Sequence, residues 1–224
     1  MLGSTGPIIL NNLILYGGTF DPVHQGHMNT ALAVQNHFHF DCFSFLPCRI
    51  PLLKEEAHAS GEQRVAMLTL ALAELPATLN FKIDCTEIER DSPSYMVTTL
   101  SQLREKRGDE LPITLLLGQD TFYQLPAWHQ WEKLLGLCNL LVIKRPSVVV
   151  QPPKALQLLL RHHENQQEGL LLTEKAGVIQ QFNAGQYPIS STEIRRRLRE
   201  GESISSGLSP ISVMEYINAH GLYR

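Results

Sequence analysis

Tyr16-Gly17-Gly18-Thr19-Phe20-Asp21-Pro22-Val23-His24-Gln25-Gly26-His27 is the stretch on which the reading of this chain turns. An apolar run at residues 13–16 feeds it, and an amphipathic segment at residues 28–38 leaves it. Strand, glycine turn and helix in that order make the plan of a phosphate-binding site. Gly17 and Gly18 let a backbone approach a ligand where a Cβ would collide. The following helix points unpaired N–H groups and a partial positive charge back at the turn. His24 and His27, three positions apart, sit near the first helical turn, where both rings can offer N–H donors to one anion. Two glycines after a strand also make an ordinary tight turn, and a histidine alone is commonly a surface residue. What carries the reading is their co-occurrence with Thr19 and Asp21-Pro22 within twelve positions. The chain contains neither a G-x-x-x-x-G-K-[ST] loop nor a G-x-G-x-x-G turn here, which argues against a Walker nucleotidase and an ordinary dinucleotide-binding dehydrogenase.

Outward from that stretch, residues 8–16 read as a first strand, 29–38 as a helix and 41–46 as a short strand stopped by Pro47. Such a β-α-β run implies a parallel pair with a right-handed crossover. Ser60 and Gln63 form a capping box that opens a helix to about residue 75. Residues 81–88 alternate like a strand, and a helix runs from Asp91-Ser92-Pro93-Ser94 to about residue 107. The apolar runs 113–117 and 140–143 read as buried parallel strands. A helical region lies around 131–135 and a helix at 155–163, with strand candidates at 170–172 and 178–182. Residues 190–200 form a capped helix, and Ser209-Pro210 opens a last one, with serine at the cap and proline at N1. The fold class expected is α/β: a doubly wound, Rossmann-like parallel sheet in one domain of 224 residues, with a small helical C-terminal portion from about residue 187. In such sheets ligands bind at the carboxyl ends of the strands, near the topological switch point.

Composition narrows the partners. With 43% hydrophobic and 18% charged residues and a net charge of −3, the chain reads as an ordinary globular protein with no general affinity for nucleic acid. Cys42, Cys48, Cys85 and Cys138 form no C-x-x-C pair, which argues against a zinc knuckle and for reduced thiols. No apolar run reaches the ~18 residues of a membrane span, and the first residues carry no basic leader, so a cytoplasmic location is expected.

Ile189-Ser190-Ser191-Thr192-Glu193-Ile194-Arg195 repeats the physics of the opening stretch. Ser190 or Ser191 caps a helix whose first N–H groups face an anion, and Arg195 shares a face with Ser191 or Thr192. A guanidinium there holds a phosphate in a fork. The same residues also fit a plain capped helix with a solvated Arg195-Arg196-Arg197 face.

Taken together, G-G-T-F-D-P-x-H-x-G-H at residues 17–27 and I-S-S-T-x-x-R at residues 189–195 resemble the nucleotidyltransferase superfamily with a His-x-Gly-His signature. Ser92-Pro93-Ser94-Tyr95, Gly118-Gln119-Asp120, Trp128, Lys144-Arg145-Pro146 and the ending His220-Gly221-Leu222-Tyr223 are similar to the bacterial nicotinate-mononucleotide adenylyltransferases, over nearly the whole chain. The resemblance implies that ATP and nicotinate mononucleotide give nicotinate adenine dinucleotide (deamido-NAD) and pyrophosphate with Mg²⁺, by direct attack on the α-phosphorus. A phosphate nucleophile is already ionised at neutral pH, so such a site needs alignment and charge neutralisation rather than a strong base. His24, His27 and Arg195 are the catalytic candidates. Gly17, Gly18, Thr19 and Phe20 would hold ATP close, with Gly118 near the nucleotide and Asp120 near a ribose. Ser190, Ser191 and Thr192 would clamp its outer phosphates. Lys54, Tyr95, Met96, Trp128 and His129 map onto the acceptor pocket, with Trp128 stacking on the pyridine. Met96 stands where relatives often have threonine and His129 where they often have an aromatic residue. Mg²⁺ would ride on phosphate oxygens and water, with no protein metal ligand expected. The alternatives are a different acceptor (nicotinamide mononucleotide or phosphopantetheine) or a nucleotide-binding regulator without turnover. The sequence gives no oligomeric state.

Overall fold

In a computed structural model that describes residues 10–49, 57–144 and 151–224, six strands form one sheet. They are β1 (Leu13–Gly18), β2 (Cys42–Pro47), β3 (Phe81–Ile83), β4 (Ile113–Gly118), β5 (Asn139–Ile143) and β6 (Ile179–Phe182). The order across the sheet is β3-β2-β1-β4-β5-β6, and every neighbouring pair is parallel. The chain leaves β1 toward one edge, then crosses back to place β4 on the other side of β1. That reversal puts the switch point of this doubly wound, Rossmann-like sheet between β1 and β4.

The helices follow in chain order: α1 (Gln25–Phe38), α2 (Gly61–Ala73), α3 (Thr86–Glu89), α4 (Met96–Arg107), α5 (Gln119–Tyr123), α6 (Leu134–Leu137), α7 (Lys154–His163), α8 (Leu170–Thr173), α9 (Ser191–Arg199) and α10 (Ile211–Ala219). Alternation along β1 separates two apolar layers. Ile14 faces a layer with Met28, Val34, Met67, Leu68, Val213 and Ile217, from α1, α2 and α10. Leu13 and Leu15 face the other, with Val97, Leu100, Phe122, Leu134 and Leu156. All of β5, and β4 up to Leu117, is buried, as expected where helices cover both faces of a parallel sheet. The C-terminal helix shares the first layer with α1 and α2.

Four elements differ from the sequence reading, each for a local reason. β1 begins at Leu13 because Asn11 and Asn12 are engaged with Asp41: the Asp41 amide donates to Asn12 Oδ1 at 2.8 Å, and Asn11 donates to the Asp41 carboxylate. The strand expected at residues 81–88 stops at Ile83, since Asp84 Oδ1 accepts from the Thr86 amide at 2.9 Å and turns the chain into α3. Residues 170–172 lie in the one-turn helix α8, entered through Gly169 at φ +82°. Three apolar residues carry no period, so a leucine run buried on one side fits either element. In α10 the proline is at the cap position, one residue earlier than expected, and Ser209 is fully buried ahead of it.

The missing serine cap of α10 is supplied from elsewhere. Glu74, at the end of α2, accepts from the Ser212 amide at 3.2 Å and from its hydroxyl at 2.6 Å. A carboxylate at a helix N-terminus satisfies an orphan donor and complements the dipole. Glu74→Ala is expected to lower stability by about 0.5–2 kcal/mol, read as a lower urea midpoint at unchanged slope.

Candidate active site

The Gly-Gly turn, the His-x-Gly-His segment and the start of α9 meet at the carboxyl ends of β1 and β4. Gly17, Gly18, Thr19, Phe20, His24, His27 and Gly118 border one cavity of about 770 Å³, as do Ser190, Ser191, Thr192 and Arg195 across from them. Tyr95, Met96, Trp128 and His129 border a second cavity of about 510 Å³. The two share Gly17, Gly18, Thr19, Leu117 and Thr121, so they open into one another over the switch point. Asp120 is exposed on the first turn of α5 and borders neither cavity, whereas its neighbour Thr121 borders both. Lys54, Arg145 and Pro146 lie outside the described residues.

Each half of the first cavity is fastened to the other. The Ser191 hydroxyl donates to the Pro22 carbonyl at 3.0 Å, and Arg195 Nη1 donates to the Asp21 carbonyl at 2.7 Å. Ser190 caps α9 by accepting from the Glu193 amide at 3.2 Å. Arg195 Nη2 reaches Thr192 Oγ1 at 3.4 Å, while its buried Nε has no partner among the described residues. The guanidinium is thus oriented by the turn it faces, with its Nε–H uncommitted among the described residues.

Glycine placement has steric causes. A Cβ on Gly18 would come within 2.8 Å of Phe20 Cζ, because Phe20, at φ +51°, folds its ring back over the turn. A Cβ on Gly26 would lie 3.0 Å from Cε1 and Nδ1 of His24. The glycine of the His-x-Gly-His segment therefore serves the first histidine: it makes room for its ring. The α1 amides are less open than the sequence suggests, since Gln25 donates to the Leu208 carbonyl at 3.0 Å.

The two imidazoles stack at 3.7 Å between centroids, 27° apart. The His24 amide donates to His27 Nδ1 at 3.3 Å, so His27 carries its ring proton on Nε2. His24 is 6% exposed, and its Nδ1 has no partner among the described residues. Burial pulls its pKa down to about 4, against a smaller upward pull from a backbone hydrogen bond. At neutral pH His24 is therefore an uncharged donor, and Arg195 and Lys144 bring positive charge to the border of this cavity. A neutral His24 ring can still act as the N–H donor to an anion that the sequence suggested.

Three residues that shape the site were not singled out from sequence. The Asp21 carboxylate, 3% exposed, accepts from the His58 and Ala59 amides and from the Tyr223 hydroxyl, and lies 3.8 Å from Arg195 Nη1. Burial first, and then Asp21, pushes the Tyr223 phenol well above its ordinary pKa. Arg64, 1% exposed, donates to the carbonyls of Thr19, Arg49 and Ala59. Glu87 borders the second cavity although it is 2% exposed. Asp21 stood in the motif, but its partners are 37 to 202 residues away, and no local pattern signals them.

Comparisons with known proteins agree with this geometry. The cytidylyltransferase-like family model matches residues 15–197. A Legionella pneumophila (strain Corby) protein named "Probable nicotinate-nucleotide adenylyltransferase" is 47% identical over 216 residues, covering 96% of this chain and all of its own. A Methylococcus capsulatus protein of the same name is 39% identical over 209 residues, 93% of this chain and 98% of that one. Among solved structures, Plasmodium falciparum nicotinic acid mononucleotide adenylyltransferase complexed with NaAD superposes with a TM-score of 0.71 at 19% identity, over 95% of this chain and 97% of that one. Among the described residues no helix is long and apolar enough to cross a membrane.

The burial of His24 makes folding pH-dependent. Its pKa is near 6.5 unfolded and about 4 folded, so the unfolded chain binds the extra proton between those values. Stability contributed by this group is full above pH 6.5 and falls as pH drops toward 4. His24→Asn is expected to flatten that part of the stability–pH curve, and histidine NMR titration to place the wild-type ring near pH 4. Gly26→Ala, which crowds the same ring, is expected to lower turnover more than stability, compared by kcat and Tm on one preparation.

Proposed function

The chain belongs to the cytidylyltransferase-like family and, within it, to the nicotinate-nucleotide adenylyltransferases, and from that premise we propose how its two joined cavities carry out adenylyl transfer. The reaction moves the adenylyl group of ATP onto the phosphate of nicotinate mononucleotide, giving nicotinate adenine dinucleotide and pyrophosphate in NAD biosynthesis. The observation that carries the proposal is the shared wall at residues 17–19, where the cavity bordered by the histidines and Arg195 meets the one bordered by Tyr95 and Trp128.

In this reading ATP occupies the first cavity, with its α-phosphorus at the junction. An acceptor phosphate oxygen attacks that phosphorus, the bond to the β-phosphate oxygen breaks, and pyrophosphate leaves with the electron pair. No proton need be removed from the nucleophile, which fits a site whose buried histidine is neutral. His24 and the Nε2–H of His27 donate to phosphate oxygens as charge shifts toward the leaving group. Arg195, aimed by Asp21 and Thr192, together with the Ser190 cap, holds the outer phosphates. The aromatic walls of the second cavity favour a flat pyridine ring over the flexible chain of phosphopantetheine. Gly118 borders the first cavity and Thr121 borders both, so Thr121 rather than Asp120 is the α5 residue that lies near the sugar in this reading.

Magnesium enters as part of the nucleotide substrate. Among the described residues no group of three or more His, Cys, Asp or Glu side chains is placed to hold an ion. In the proposed reaction Mg²⁺ would ride on ATP phosphate oxygens and water, where it would neutralise charge on the polyphosphate. Both substrates are phosphorylated nucleotides that do not cross a bilayer unaided, which favours a cytoplasmic setting.

With MgATP and nicotinate mononucleotide, the purified protein is expected to release pyrophosphate and form the dinucleotide, followed by chromatography. No dinucleotide with either the acid or the amide mononucleotide would sink the proposal. His24→Ala and His27→Ala are each expected to lower kcat by about 10²–10³; an unchanged kcat in a folded variant would assign that ring to packing alone.

A further inference from the structure

Glu87 is a carboxyl in an unusual place. It sits on α3, the single turn after the edge strand, and is 2% exposed, yet it borders the second cavity beside Ser94, Tyr95 and Met96. The Thr99 hydroxyl of α4 donates to Oε1 at 2.7 Å. Arg90 Nη2 is 3.9 Å from the same oxygen, a distance beyond a hydrogen bond. That guanidinium is occupied elsewhere: it donates to Thr99 Oγ1 at 2.9 Å and to Gln102 at 3.1 Å. The carboxyl is thus held in a low-dielectric wall with its nearest cation only loosely engaged.

We propose that Glu87 determines the acid-over-amide preference of the acceptor cavity, favouring a carboxylate on the pyridine ring while it carries a proton and a carboxamide once it has lost it. This inference rests on the assignment of the second cavity to the acceptor. Two carboxylates facing one another across a desolvated pocket repel, so an ionised Glu87 opposes an acidic ring substituent. A protonated Glu87 removes that repulsion and offers an O–H donor. An ionised Glu87 instead accepts from the N–H₂ of a carboxamide.

The surroundings bear on the same balance from each side. Burial raises the Glu87 pKa above the usual carboxylate value, with Asp84 adding to the rise, while Thr99, Ser94 and Arg90 oppose it. From α4 the facing group is Thr99, and from the 90–95 loop they are Arg90 and Ser94; Gln102 holds Arg90, and Tyr95 lines the same cavity. Arg49 approaches through its amide, which donates to Ser94 Oγ at 3.1 Å, while its guanidinium pairs with Asp91. Across the cavity His129 packs on Tyr95 at 4.3 Å, and Cys48 lines the β2 end. Because an acidic acceptor would raise the Glu87 pKa further, its binding takes up a proton. Its affinity is then level below the pKa of the free enzyme and falls as pH rises from there to the pKa of the complex.

The test is the ratio of kcat/KM for nicotinate mononucleotide to that for nicotinamide mononucleotide, measured from pH 5.5 to 9. Both acceptors carry the same phosphate, so its titration cancels in the ratio. The wild-type ratio is expected to fall with rising pH, about tenfold for each unit by which the bound acid raises the carboxyl pKa. Glu87→Gln keeps an acceptor oxygen for Thr99 but cannot titrate, and its ratio is expected to be independent of pH. His129→Asn separates the other titrating ring: the slope is expected to persist in that variant. A flat wild-type ratio overturns the inference whether or not Glu87→Gln folds. So does a slope that survives Glu87→Gln, or one that vanishes only in His129→Asn. Absence of turnover with both acceptors would remove the adenylyltransferase reading itself, and this inference with it.

Discussion

A buried carboxylate must be met on every side or it does not stay buried. Asp21 meets that condition through four groups drawn from three other parts of the chain. The His58 and Ala59 amides come from the entrance to α2, the Tyr223 hydroxyl from the C-terminus, and the Arg195 guanidinium from α9. Its own carbonyl takes the strongest of the Arg195 contacts. Arg64 is the complementary device. A fully buried guanidinium gathers the carbonyls of Thr19, Arg49 and Ala59, which end loops that no ladder satisfies. One anion and one cation thus fix the loops leaving β1 and β2 against the C-terminal helices. Loss of either partner would strand the other's polar atoms in the core, where they are expensive.

The catalytic geometry inherits this order. The glycine turn leaves β1 at the switch point, where diverging crossovers open a crevice in any doubly wound sheet. Phe20 closes back over Gly18, and Tyr16, His27 and Phe45 pack edge-on or tilted against its ring. That aromatic cluster supports the floor beneath His27, while Gly26 leaves space for the stacked His24 ring. Desolvation keeps His24 neutral, which suits a site that must orient dipoles toward phosphate oxygens without reorganisation. Positive charge at the same cavity includes a guanidinium, that of Arg195, which cannot lose its proton.

Local chemistry made much of this visible in the sequence. The Ser60–Gln63 capping box and the Ser190 cap involve partners three residues apart, and both form as read. The Gly-Gly turn, the histidine pair and the buried strands β4 and β5 are likewise written in short windows. The elements that misled were those whose pattern is too short to carry a period, such as the leucines of α8, or is cut by a side chain that caps early, as Asp84 does after β3. The residues that were invisible act at long range. Glu87 and Arg64 are charged side chains in helical stretches, where solvent exposure is the ordinary outcome. Only the packing of α3 and α2 onto the sheet reverses that expectation.

The pairing of Arg195 with Asp21 also bears on turnover. In the proposed reaction, substrate triphosphate and product pyrophosphate would both present several negative charges to the same guanidinium, and a cation that held them equally well would lower KM and slow release together. A carboxylate 3.8 Å behind the guanidinium offsets part of its charge and fixes its direction. The net charge of −3 for the whole chain has the same sense, since no diffuse positive field retains the product. In the proposed transfer, what favours the transition state is then alignment: the rings of His24 and His27 and the oriented Arg195 guanidinium would act where charge develops, rather than where it is greatest in the bound ground state.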